Sequence, residues 1–545
     1  MAVADGRGSV PGVVLLRLLR PHPPRVDSGA MDDSVARARG GFPARAFWLG
    51  VFGVTAAFSL FCLGVEYTPD SLHYLSVARG LLSGSGLSGT LLAVDTAMPR
   101  PLDLWPPLFP MAWAALLWLG PDAAVITLHL LCFAVLAAAL FSMAPEGQGA
   151  RYIWTCAVLI VLYRPFGHVA AAAWSEPLCV ALLALALARE VRGADSVGRS
   201  FLVGALLGLA VLTRYAALFV LPGLLLWRFV RAREAGVPRR HVVHALALGA
   251  GLGLVVAPWF VRNGVLFGRA MGPPRAPRGA GLLSSLLSGV ETLLGEASFG
   301  AFGVLCVAAT VWLLMPALRG VRGERPPDAS LERLRPAALM AVSYVVGLFW
   351  TATRTQMDTL DGRLLAPLGV GLVPVTAAVL VSLVERSRLM SPPVLIITGV
   401  VVVAGHLWAP LHARVRQPRL GLQHLRERVA PLPAWVEAHV TERDLLLGPQ
   451  LWWGHPFSRA PVVADGYPER GFLTRQTLGA YLLRHGAAYE RFFWFDTRPP
   501  PVDAAAFEAV EVARLETNAY WSTVWEIRPV GRATPVDGRE AIPAP

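Results

Sequence analysis

The chain has 545 residues, 54% of them hydrophobic and 16% charged, where an ordinary soluble protein carries about 25% charged residues. With a mean hydropathy of +0.51, these figures exclude a disordered chain, a coiled coil and an ordinary nucleic-acid-binding protein, and they point to a polytopic membrane protein. The net charge of +12 then reads as Arg-rich loops facing a cytoplasm, not as a footprint for nucleic acid.

Residues 1–45 are polar, Pro-rich and Arg-rich, and read as a disordered, basic, cytoplasmic N-terminus. Met31 is a second candidate start. The VVLLRLL stretch at 13–19 is too short and too charged for the apolar region of a signal peptide. The first apolar run, 46–65, is long enough to cross a bilayer. Further runs lie at 108–119, 122–142, 152–163, 168–188, 200–213, 216–230, 242–260, 298–317, 336–353, 364–385 and 392–409. Together they predict an all-α transmembrane domain over 46–410 with about 11–13 spans, several of them short.

Arg-rich stretches at 189–199, 228–240 and 319–335, with 385–388, mark cytoplasmic ends. That places 67–106, 262–297, 354–363 and everything after 410 outside. Between 67–106 and 189–199 the number of crossings must be odd, yet four apolar runs lie there. One of 108–119, 122–142 and 152–163 is therefore juxtamembrane or re-entrant, and the sequence leaves open which.

Residues 411–545 read as a small extracytoplasmic α/β domain with a disordered tail. Short helices are expected at 422–429 and 434–440, and another at 477–489 that Gly486 ends. Short buried strands are expected at 444–449, 461–465 and 491–496. Trp452, Trp453 and His455 suit sugar stacking, although an ordinary domain core or interface belt is the plainer use of them. No dinucleotide-binding glycine pattern is present.

Lysine is absent, so all 49 basic residues are Arg and neither a Schiff-base nor a P-loop lysine is on offer. The five cysteines (Cys62, Cys132, Cys156, Cys179, Cys306) lie in apolar stretches without a C-x-x-C pair, which reads as packing, not as zinc or redox chemistry. No cofactor is implied, and the sequence does not indicate a divalent metal.

Chemistry concentrates at one membrane face. Pro69–Asp70–Ser71 reads as a helix start with Asp70 at the positive end. Asp70, Tyr74 and Ala78 share one face of that helix, and Gly80, Gly84 and Gly86 end it. The plainer use of Asp70 is as a helix cap. The same loop runs on through Asp95 and Asp103 to LWPPLFPMAW (104–113), an interfacial aromatic turn. Glu176 follows Trp174–Ser175 in an apolar segment, where a carboxylate is functional by default or paired with an Arg. Arg214 sits at the outward turn between two short helices, Arg262 and Asn263 at the outer end of a span, and Asp361 and Arg363 at the mouth of another. Arginines gathered there could hold a phosphate by bidentate contacts, or serve as interfacial anchors. A base beside an acceptor, and cations beside a phosphate leaving group, are the equipment for acting on an anionic lipid.

The stretches PDSLHYLSVARGLLSG, WPPLFP, WSEPL, GLAVLTRYA, PWFVRNGVLFG and DGRLLAPL occur in this order over about residues 46–410. This series resembles the GT-C superfamily of polytopic membrane glycosyltransferases (glycosyltransferase family 39-like). The likeness is to bacterial relatives of the dolichyl-phosphate-mannose–protein mannosyltransferases and of the lipid A aminoarabinose transferase. The resemblance implies an inverting transfer, outside the cytoplasm, from a polyprenyl-phosphate sugar to an envelope lipid, glycan or protein. It matches Asp70 to the acidic residue of the first external loop, the base or acceptor-orienting group. It sets Glu176 near a second acidic position and makes Arg363 a donor-phosphate contact. Tyr74, Arg214 and Arg262 are the further substrate-binding candidates. Close relatives often carry Asp-Glu where this chain has Asp70–Ser71, which weighs against a metal-assisted mechanism and against protein O-mannosylation. The competing readings are a lipid-linked-sugar flippase, for which no internal repeat is visible, and an envelope scaffold without activity.

Overall fold

A computed structural model describes residues 43–62, 64–89, 91–92, 100–102, 105–192, 196–234, 238–272, 308–311, 313, 329–354, 362–387, 421–422, 425–426, 429–449, 451, 457–458, 460, 462–465, 475–485, 488–496, 498–515 and 523–530. The expectations for residues 1–42, Asp95, Asp103, Asp361, Cys306, Trp452, Trp453, His455, Gly486, most of 298–317 and all of 392–409 lie outside them.

The chain opens with helix α1 (Ala44–Cys62), then the short helix α2 (Pro69–Leu82). Short strands β1 (Ser88–Gly89), β2 (Leu91–Leu92) and β3 (Arg100–Pro101) follow, and β1 pairs with β3. Next come α3 (Leu108–Leu116), continued by a 3-10 turn at Leu117–Leu119, and α4 (Pro121–Phe141). Helix α5 (Gly149–Leu162) is bent by 60° from α6 (Arg164–Ala170). Pro165 cannot continue the hydrogen-bond ladder of α5, so the chain turns there. Helices α7 (Glu176–Val191) and α8 (Val197–Val211) precede a 3-10 segment, Tyr215–Val220. Then come α9 (Leu221–Glu234), α10 (Pro238–Phe267), α11 (Ala329–Glu332), α12 (Arg335–Arg354) and α13 (Gly362–Ser387).

Among the described residues, six helical segments are long and apolar enough to cross a membrane: Ala44–Cys62, Pro121–Phe141, Tyr215–Arg233, His241–Phe267, Arg335–Arg354 and Gly362–Glu385. The bent pair α5–α6 makes a seventh if it is one span. Leu108–Leu119 is the odd piece of the parity problem. At 1.5 Å per residue its rise is about 18 Å, short of a ~30 Å hydrocarbon core, and Gly120, at φ 89°, turns the chain sharply into α4. Between the first loop and the 189–199 stretch that leaves α4, the bent pair and α7, whose 16 residues pass along the bundle without meeting the length of a membrane span. Three is odd, so the two regions lie at opposite ends of the bundle. The packing agrees. At the end away from the first loop, Arg151 pairs with Glu385, Arg228 with Glu190 and Arg333 with Glu146.

The helices share one apolar core of buried residues from α1, α4, α5, α7, α8, α12 and α13. The four described cysteines are buried and form no disulfide, and Cys62, Cys156 and Cys179 belong to that core.

The C-terminal region folds as the alternation of elements predicts. It contains α14 (Leu432–His439), β4 (Leu445–Pro449), β5 (Val462–Asp465), α15 (Arg475–His485), β6 (Phe492–Phe495), β7 (Phe507–Arg514) and β8 (Thr523–Pro529). Pro433 stands in the first turn of α14, where a missing N–H costs nothing, so that helix starts earlier than expected. The six-stranded sheet has the order β2-β5-β4-β6-β8-β7. Strands β2, β5, β4 and β6 are parallel; β8 and β7 run antiparallel. All four residues of β6 are buried, as a central strand requires. The edge strand β2 comes not from the C-terminal region but from the first loop, 67–106, in register with Val462 and Val463.

Candidate active site

The site is assembled at the starts of three helices. Helix α2 begins at Pro69 because Thr68 caps it. The Ser71 N–H donates to Thr68 Oγ1 (3.4 Å) and the Thr68 N–H donates to Ser71 Oγ (3.1 Å), a reciprocal capping box. Capping therefore does not occupy Asp70, and Ser71 has a local structural task. Gly80 does not end the helix as expected. It lies in the last turn of α2, where a Cβ would come within 2.1 Å of the Ser88 carbonyl oxygen, so glycine there lets the returning loop lie on the helix.

Asp70 pairs with Nη2 of Arg363, in the first turn of α13. Nε of the same guanidinium donates to Oε1 of Glu176, in the first turn of α7. Arg214 donates to that same oxygen through Nη1. Arg214 has extended backbone (φ −151°, ψ 125°) between α8 and the 3-10 segment, at the turn between two short helices that its sequence position predicts. Two carboxylates and two guanidiniums thus form a charge-balanced quartet. Its members are unequally placed: the Glu176 side chain is 0% exposed, Arg214 and Arg363 15%, and Asp70 21%. A buried carboxylate is tolerated only when paired and hydrogen-bonded, and Glu176 meets that condition twice.

Aromatic groups hold the quartet in place. The Arg363 guanidinium lies 4.9 Å from the centre of the Trp174 ring, a cation–π contact. The Trp174 indole N–H donates to Thr68 Oγ1 at 2.8 Å, and its ring stacks on His168. The two ring nitrogens of His129 lie 3.1 Å from the Trp174 carbonyl and 3.4 Å from that of Ala170. Tyr163 and Tyr344 donate to the carbonyls of Leu365 and Leu364 (2.7 and 2.9 Å), pinning the helix turn that carries Arg363. Tyr74 places its hydroxyl 3.4 Å from Ser175 Oγ; burial first, and the Asp70 charge next, raise its phenol pKa and keep it protonated.

Of the six residues singled out in the sequence, Asp70, Glu176, Arg214 and Arg363 come together, and Tyr74 borders them. Arg262 is bound elsewhere. Its Nη1 donates to the Leu102 carbonyl and to Asn263 Oδ1, both at 2.8 Å, and it lies over Trp259 at 4.6 Å. It fastens the end of the first loop to α10. Thr68, His129 and Tyr163 escaped the sequence reading. Thr68 had a legible signal, the T-x-x-S spacing before a helix. The other two act through backbone carbonyls, which leave no mark in a sequence. Among the described residues no three His, Cys, Asp or Glu side chains gather as metal ligands would.

No family model matches the chain, and no curated protein matches its sequence. Solved structures do. The crystal structure of ArnT from Cupriavidus metallidurans bound to undecaprenyl phosphate superposes with a TM-score of 0.55 at 14% identity, over 90% of this chain and 98% of that one. The same protein in the apo state gives 0.55 at 15%, over 89% and 98%. The Archaeoglobus fulgidus oligosaccharyltransferase in its apo form is less similar, with a TM-score of 0.49 at 9% identity over 82% of this chain and 69% of that one. The chain has the fold of ArnT.

Proposed function

We propose that this GT-C-fold chain is a membrane glycosyltransferase. It moves a sugar from a polyprenyl-phosphate-linked donor to an envelope lipid, glycan or protein by one inverting displacement. The chain lies in the inner (plasma) membrane, with the site and the C-terminal domain outside the cytoplasm, opposite the Arg-rich end. The observation that carries this reading is Arg363, shared between a fully buried carboxylate and a partly exposed one.

A donor of this kind is a phosphodiester with one negative charge. Its phosphate needs a cation at the membrane surface, and Arg363 presents one whose outer partner, Asp70, is exchangeable. The phosphate displaces Asp70 from Nη2, while Glu176 keeps the guanidinium oriented through Nε. The quartet is neutral before binding and carries −1 after it. Displacement frees the Asp70 carboxylate from its ion pair, leaving it able to meet the acceptor hydroxyl.

In the transfer step an acceptor hydroxyl oxygen bonds to the anomeric carbon, and the bond from that carbon to the phosphate oxygen breaks. The hydroxyl proton goes to Asp70, and polyprenyl phosphate leaves with a second negative charge. Arg363 and Arg214 stabilise that developing charge. Arg214 fills the second-cation role better than Arg262, which the Leu102 carbonyl engages. Tyr74, held protonated, can donate to the acceptor or the sugar. The ArnT structure holds undecaprenyl phosphate, which is the leaving group such a donor would release.

The test is transfer from a panel of radiolabelled polyprenyl-phosphate sugars to an envelope extract, comparing wild type with Asp70→Asn. Label moved by wild type and lost in the variant supports the reading. Wild-type activity in folded Asp70→Asn overturns the assigned base. If folded wild type moves no label from any donor but flips a lipid-linked sugar in proteoliposomes, the transferase reading gives way to a flippase.

A further inference from the structure

Asp122 has no part in the chemistry above, yet it stands where three parts of the molecule meet. It occupies the first turn of α4. Its Oδ1 accepts the hydroxyl of Tyr67 at 2.6 Å, three residues before Asp70. Both carboxylate oxygens lie 3.3 Å from the Leu422 N–H, at the start of the C-terminal region. Gly421 has φ +97°, and a Cβ there would come within 2.5 Å of Asp122 Oδ2, so only glycine fits this backbone against the carboxylate. Tyr67 is buried, and burial together with the Asp122 charge raises its pKa; the phenol stays a donor. Further along the same loop, β2 is the edge strand of the C-terminal sheet.

We infer that Asp122 is a positioning residue: it latches the C-terminal domain to the segment leading into the Asp70 helix, so that the state of the domain is felt at the site. The loop 67–102 is held by that domain at two places, through Asp122 at Tyr67 and through β5 at Leu91–Leu92. Between them lies α2 with Asp70. A domain that shifts on taking up an acceptor moves both anchors, and Asp70 with them. The inference rests on the transferase reading only for what the latch serves. The latch itself stands on geometry.

Coupling between two sites is reciprocal, and that gives the test. Hydrogen exchange is followed on the full chain in lipid nanodiscs, for wild type, Tyr67→Phe, Gly421→Ala and Asp122→Asn. Tyr67→Phe, a change on the loop side, should speed exchange at Leu422 and Leu425. Gly421→Ala, a change on the domain side, should speed it in the first turns of α2 and at Leu91–Leu92. Each effect should be about tenfold, as one charge-assisted hydrogen bond commands. In Asp122→Asn both regions should loosen, and adding Tyr67→Phe should then change the domain side little. Strands β4 and β6 should keep wild-type exchange throughout.

Undecaprenyl phosphate should bind no more weakly in any of the three variants, because Arg363 and Glu176 are untouched and a displaced Asp70 competes less for Nη2, whereas kcat for transfer should fall about tenfold with KM for the donor no higher. Purely local effects, with Tyr67→Phe silent at Leu422 and Leu425, would overturn the latch, as would loosening of the whole chain together. Tyr67→Phe keeps the test decisive if Gly421→Ala does not fold. Failure of wild type to bind undecaprenyl phosphate would count against the transferase reading and leave the exchange result standing.

Discussion

Each end of the helix bundle buries arginine against glutamate, and the two ends do it differently. At the end away from the first loop, Arg228 gives Nε and Nη2 to the two oxygens of Glu190 (3.1 and 2.5 Å) and Nη1 to the His244 carbonyl (3.1 Å). His244 is held in turn by Ser200, 3.0 Å from Nδ1. Both side chains of the pair are at most 10% exposed. It is a closed, bidentate clasp joining α7, α9 and α10. At the other end two arginines converge on one oxygen of Glu176, and one of them reaches out to the partly exposed Asp70. The clasp satisfies its charges fully within the protein. The quartet leaves one cation with a partner that a ligand can displace. Burial of charge thus serves cohesion at one end and exchange at the other.

The largest expected effect breaks the exchangeable end. Asp70→Asn should cut transfer by roughly 10²–10⁴, the usual share of a general base. The same variant should bind undecaprenyl phosphate more tightly than wild type, since no carboxylate competes for Arg363 Nη2; titration in nanodiscs measures this. Unchanged or weaker binding would show that Asp70 and phosphate do not compete.

Next, Glu176→Gln and Glu190→Gln should each cost roughly 3–5 kcal/mol of stability, because each leaves buried guanidinium charge without its partner. Thermal unfolding in detergent should rank them alike. Binding should separate them: Glu190→Gln should hold undecaprenyl phosphate as wild type does per folded molecule, and Glu176→Gln should not. Equal losses of binding would erase the distinction between clasp and quartet. A sharper form removes the clasp altogether. Glu190→Leu with Arg228→Met should recover most of the stability lost in Glu190→Gln, since well-packed apolar replacements of buried ion pairs are often neutral. The double variant unfolding as early as Glu190→Gln would overturn that expectation.

What the sequence made legible follows the kind of interaction involved. The quartet could be read because intramembrane carboxylates and outer-end arginines are costly unless used, and four of them proved to be neighbours. The helix at Pro69 and the strands at 445–449, 462–465 and 492–495 were legible from local pattern. Strands β7 and β8 were passed over although TVWEIRP carries the β-branched and aromatic residues that a strand prefers. Strand β2 could not be read: two leucines become a strand only by pairing with Val462 and Val463, far along the chain. The place of Arg262 was ambiguous for a related reason. An arginine at the outer end of a helix can meet a phosphate or a carbonyl, and the Leu102 carbonyl that it meets is backbone, identical in every residue type. Topology between 67 and 189 turned on the length of Leu108–Leu119, which ends at the turn on Gly120.

The smallest expected effect tests the ring that ties the quartet to the helix cap. Trp174→Phe keeps an aromatic face beneath Arg363 but removes the N–H that reaches Thr68 Oγ1. One neutral hydrogen bond is worth about 1 kcal/mol, and Thr68 Oγ1 retains the Ser71 N–H, so α2 stays capped. Stability should therefore fall by about 1 kcal/mol, well short of the loss in Glu176→Gln. The cation–π contact, worth about 0.5–1 kcal/mol in all at a partly exposed site, weakens from Trp to Phe, so undecaprenyl phosphate affinity should change by no more than about fivefold. Trp174→Ala adds the loss of the ring itself. If it matched Trp174→Phe in both measurements, the indole N–H would be the group that matters. If it approached Glu176→Gln in binding alone, the ring face would be what holds Arg363 in register between its two carboxylates.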